Sequence, residues 1–99
     1  MLKPAQRPPR LDRETAETIA AQGLAFLAAD PRQLQRFLAL TGLTAASLKA
    51  QIGTAEVLVA VLNYLALDES LLLSFAANSN VAPESIAAAL ARLDPGDDP

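Results

Sequence analysis

Few side chains in this 99-residue chain could do chemistry. The sharpest polar juxtaposition is Asp68-Glu69, with scattered Ser and Thr elsewhere. Two carboxylates can share acid–base work, but a nucleophile needs a base within hydrogen-bond reach. The chain has no His and no Cys, and Ala50 to Ala91 contains no Lys or Arg. That removes imidazole bases, thiolate nucleophiles, disulfides and the usual zinc ligand sets. Asp68 reads better as a helix cap, with Glu69 favoured at the positive end of the helix dipole. The sequence therefore predicts no catalytic, cofactor-binding or metal-binding residue, and no enzyme.

Two other constellations carry a different chemistry. Arg32 and Arg36 lie one helical turn apart, ahead of a Gly42 turn and a short segment with Lys49 and Gln51. Helix, Gly-containing turn and helix is the outline of a helix-turn-helix. Counterion release needs several phosphate contacts, and the net charge of −3 argues against nucleic acid as a partner. Weak DNA binding stands as an alternative. So does a hydrophobic ligand, because Val57 to Leu67 is almost wholly apolar and Gly23 lacks a side chain. A helical Gly either opens a void or lets two helices approach closely.

The elements that position these residues are helices. Apolar residues make up 52% of the chain and aromatics 4%, so Leu, Ala, Val and Ile must build the core. Asp12 caps a first helix carrying Ile19, Gly23, Phe26 and Leu27 at helical spacing. Asp30-Pro31 stops it and caps a second, with Gln33 as capping-box partner and Leu34, Phe37 and Leu38 on one face. Gly42 suits the left-handed position that ends a helix. Thr44 caps a short third helix ending near Gln51, and Thr54 caps a fourth over about 55–66. Asp68 caps a fifth, holding Leu72, Phe75 and Ala76. Asn78-Ser79-Asn80 reads as a turn, and Pro83 opens a sixth helix with Ile86, Leu90 and Leu93 inward.

A shift of thirty-eight residues lays Thr15–Ile52 on Gly53–Leu90 without a gap, with nine identities. Asp30 meets Asp68, Phe37 meets Phe75, and Gly42 meets Asn80, the two types that best tolerate left-handed backbone. The expected architecture is all-α: five to six short helices in one domain, as two tandem three-helix units, about 15–52 and 53–90. Residues 1–11 form a basic, Pro-rich arm, 12–94 the domain and 95–99 an acidic tail, both ends expected to be disordered. The copies diverge where Gln33 and Gln35 become Leu71 and Leu73, Ala21 becomes Val59, and Ala29 becomes Leu67. Val59, Leu67, Leu71 and Leu73 are thus the candidate interaction surface, covered within the chain or by another molecule.

The chain shows no apolar leader, and its most apolar run is too short to span a bilayer, so a cytoplasmic place is the default expectation. The strings Leu24-Ala25-Phe26-Leu27-Ala28-Ala29-Asp30-Pro31 and Arg36-Phe37-Leu38-Ala39-Leu40-Thr41-Gly42-Leu43, with Asp68 to Phe75, resemble a family of small alphaproteobacterial proteins of unknown function. The resemblance runs from about Glu14 to Leu93 and implies a bacterial cytoplasmic setting, but no activity. By elimination and from the apolar divergence, the expected role is a non-enzymatic protein-interaction or adaptor module, with a protein partner or a second copy.

Overall fold

A computed structural model describes residues 11–93. Its order is α1 (Arg13–Ala28), α2 (Pro31–Thr41), α3 (Ala45–Gln51), α4 (Ala55–Ala66), α5 (Glu69–Ser79) and α6 (Pro83–Leu93). No strand occurs among the described residues, and the fold is all-α. The expected disorder of arm and tail falls on residues 1–10 and 94–99, outside the described ones. Leu11, assigned to the arm by sequence, packs against the core.

Caps set the helix boundaries. The Asp12 carboxylate accepts from the Thr15 backbone N–H at 2.7 Å, and Asp68 accepts from Leu71 at 3.1 Å. Thr44 and Ser47 form a reciprocal capping box. Gly42 (φ 78°) ends α2 and Asn80 (φ 56°) ends α5, both in the left-handed region. Two local expectations need correction. Asp30 caps α2 by accepting from Arg32, but Gln33 does not complete a box. Its amide oxygen instead accepts the Tyr64 hydroxyl at 2.8 Å, thirty-one residues away. A long-range polar partner outcompetes a local one. Asn78 and Ser79 do not turn either. They finish α5, because the Asn80 N–H closes on Ala76 and leaves one left-handed residue for the reversal.

The helices α1, α4 and α6 pack against one another, while α2 and α5 flank the α1–α4 pair. Helix α4 is the central element and buries Val57, Leu58, Val61, Leu62, Tyr64 and Leu65, which explains why it is apolar nearly all round. Phe37 and Phe75 are fully buried at its flanks. Each contributes roughly 1.5–3 kcal/mol by leaving water. Gly23 marks close approach rather than a void. A Cβ there would stand 3.0 Å from both Val61 Cγ1 and Leu65 Cδ1. Helix α3 is the least engaged, with Leu48 its buried residue.

Candidate interaction surfaces

The polar residues singled out by sequence do not converge. Asp30 and Asp68 are occupied as caps. Among the described residues, no group of three or more His, Cys, Asp or Glu could hold a metal ion, and no polar or charged residue is buried. The helix-turn-helix outline exists as α2, Gly42 and α3. Yet α3 has seven residues, turns Leu48 inward, and carries Lys49 as its charged side chain. No single described helix is long and apolar enough to cross a membrane. Helices α3 and α4 pass that test together only across a 118° bend.

The sequence-predicted surface separates into two kinds of residue. Val59 and Leu71 are half-buried and pack against the core. Leu67 and Leu73 are 80% and 48% exposed. Leu67 shares a hollow of about 390 Å³ with Leu40, which is 66% exposed, beside Arg36, Tyr64 and Glu69. Leu73 does not line it. Leu40 escaped the sequence reading because it sits in an apolar string. Its counterpart thirty-eight residues on, the polar Asn78, was the signal that it faces solvent.

The larger feature lies on α1. Ala16, Ile19, Ala20, Gly23 and Leu27 form its inward stripe. The outer side carries Ala21, Ala25 and Ala28, small enough to leave the floor of a groove of about 590 Å³ that the half-buried Leu24 also lines. One wall is Ile52 with Gly53 and Leu58. Gly53 (φ 93°) makes the bend between α3 and α4 that leaves Ile52 57% exposed. Glu14, Glu17 and Thr18 line one end, and Arg13 pairs with Glu17 at 3.2 Å in an exposed i,i+4 bridge. Such a bridge is worth little and exchanges partners readily. Asp12 sits at the same end. The hydroxyl and then the backbone N–H of Thr15 hold its carboxyl below the ordinary value. The groove is therefore apolar along its length and carboxylate-rich at the α1 N-terminus. Sequence periodicity missed it because floor and wall come from different elements, and Ile52 falls in a corner.

No curated protein and no solved structure shows significant similarity to the chain. A family model does match, from residue 13 through residue 96, and so takes in all six helices and the groove. The chain belongs to DUF3572, a family described as proteins of unknown function.

Proposed function

We propose that this protein is a non-enzymatic interaction module that receives a basic amphipathic segment of a partner protein in the α1 groove. The single observation that carries this is the groove itself: an open apolar floor on α1, a protruding Ile52 and carboxylates at one end. Open apolar surface of this kind gains by being covered. The floor offers side chains rather than free backbone donors, so a partner must bring apolar side chains of its own. Glu14 and Glu17 favour Lys or Arg beside them and steer the encounter. A Leu/Lys amphipathic helical peptide is the probe. Calorimetry should detect its binding to the wild-type chain. Ile52→Glu should weaken binding about tenfold or more, equal to about 1.4 kcal/mol, whereas Leu73→Glu should not. Equal affinity for all three proteins would contradict the reading.

Self-association is a second reading, supported by the hollow at Leu40 and Leu67. Arg36 and the carboxylates of Asp68 and Glu69, of opposite sign, line the same hollow. Two copies related by a two-fold axis could satisfy each other there. Sedimentation of Leu40→Gln plus Leu67→Gln against wild type tests it, and a monomer in both cases removes it.

We also infer that the chain is an internal duplication. Helices α2 and α5 begin and end at positions thirty-eight residues apart, and Asp30 and Asp68 share near-identical backbone, φ −121° and −129°, ψ 106° in both. The aromatic contacts support a two-fold relation. Phe37 meets Tyr64 edge-on at 5.6 Å, and Phe75 meets Phe26 at 5.5 Å. Exchanging the two units turns one pair into the other, which is the mark of an isologous arrangement.

A further inference from the structure

The two most exposed large apolar side chains among the described residues, Leu40 and Leu67, stand in one hollow. Arg36 and Leu40 lie one turn apart on α2 and form one rim. Leu67, Asp68 and Glu69 follow one another at the α4–α5 junction and form the other. Each rim thus carries one leucine and charge of a single sign. Although they share the hollow, neither Arg36 nor either carboxylate forms an ion pair among the described residues. Asp68 is engaged as the α5 cap, which leaves exposed Glu69 as the uncommitted carboxylate. Helix geometry does not call for these side chains. Helices α2 and α5 keep the same limits and the same cap backbone thirty-eight residues apart. At that spacing Leu40 is matched by Asn78 and Leu67 by Ala29, both also exposed, while Arg36 is matched by Ser74 and Glu69 by Pro31.

We propose that two copies of the chain join through this hollow about a two-fold axis, with Arg36 of each facing the partner's Glu69 and Leu40 meeting the partner's Leu67. This rests on the reading of the hollow as a self-association surface, and it fixes the register of that surface. An axis running between the rims, in the plane of contact, sets the α2 rim of one copy on the α4–α5 rim of the other. Every contact then occurs twice, as in any isologous interface. Leucines of both copies leave water together, and that burial supplies the affinity. The charges supply the register. Like rim on like rim would set arginine against arginine and carboxylate against carboxylate, an arrangement that repels.

Sedimentation equilibrium of the full-length chain tests the pairing by charge reversal. The wild type should self-associate. Arg36→Glu alone and Glu69→Arg alone should each weaken association about tenfold or more, because each turns unlike pairs into like ones. Mixed in equal amounts, the two variants should recover wild-type association as a heterodimer. One chain then carries both acidic positions and the other both basic ones. Such rescue also shows that both variants are folded. A mixture that stays as weak as its components overturns the proposal. So does recovery confined to the double variant, Arg36→Glu plus Glu69→Arg, which would place the pair within one chain. Association that is lost in Leu40→Gln plus Leu67→Gln but indifferent to both reversals overturns this register and leaves the hollow reading standing. A wild type that is monomeric throughout removes both, without touching the α1 groove, which shares no lining residue with the hollow.

Discussion

The Tyr64–Gln33 hydrogen bond joins two positions whose counterparts in the other unit are Phe26 and Leu71. Hydroxyl and amide face each other across residues 15–52 and 53–90, and thirty-eight residues away in each direction both are replaced by apolar side chains, Phe26 and Leu71. This accounts for the Gln33/Leu71 divergence as an internal exchange rather than a partner surface. Gln33→Leu alone should remove the partner of the part-buried Tyr64 hydroxyl and cost about 0.5–1.5 kcal/mol in chemical denaturation. Adding Tyr64→Phe should recover most of that loss, since replacing both partners by apolar groups can be nearly neutral. A double-mutant cycle without coupling would contradict this account. Asp12 gives a pH prediction. Its carboxyl is held below the ordinary value, so its contribution is complete above the unfolded value and is lost as pH falls through the folded one. Asp12→Asn keeps a capping side chain but does not titrate. Its acid-unfolding curve should therefore lose part of the steepness seen below about pH 4; a slope identical to wild type would refute the assignment.

At the scale of the element, the α1–α4 crossing depends on Gly23. Gly23→Ala gains about 1 kcal/mol in helix propensity but crowds Val61 and Leu65 at 3.0 Å. Gly23→Val brings two further methyl groups into the same space and should cost roughly 1–3 kcal/mol, perceptible as a lower Tm. Pairing it with Val61→Ala should restore part of the loss, whereas additive losses would show that the two residues do not compete for space. Local elements were largely legible in the sequence because their causes are local. Asp30, Thr44, Gly42 and Asn80 act within one turn, and their residue types announce the conformation. Gln33 was misread because its partner lies on another helix, and Asn78-Ser79 because a polar pair at a helix end looks like a turn until Asn80 is seen to complete it.

At the scale of the whole molecule, apolar side chains stay exposed in the α1 groove and at Leu40 and Leu67 among the described residues. Leu71 packs inward and Leu73 does not. Leu71→Gln should therefore cost stability, whereas Leu73→Gln should change it by no more than about 0.5 kcal/mol. Equal effects on thermal unfolding would contradict their separate placement. The candidate site was less legible than the fold. The thirty-eight-residue comparison pointed to Leu67 and Leu73, but the groove needs α1's outward alanines and the α3–α4 corner together, and no single stretch of sequence holds both. The most direct measurement of the central claim is the shift of the Ile52 δ1 methyl during titration with a Leu/Lys amphipathic peptide. A saturable shift of Ile52, with Ile19 and Ile86 nearly still, is the result expected for docking in the α1 groove. A silent Ile52 during demonstrable binding, or uniform movement of all three methyls, would contradict it.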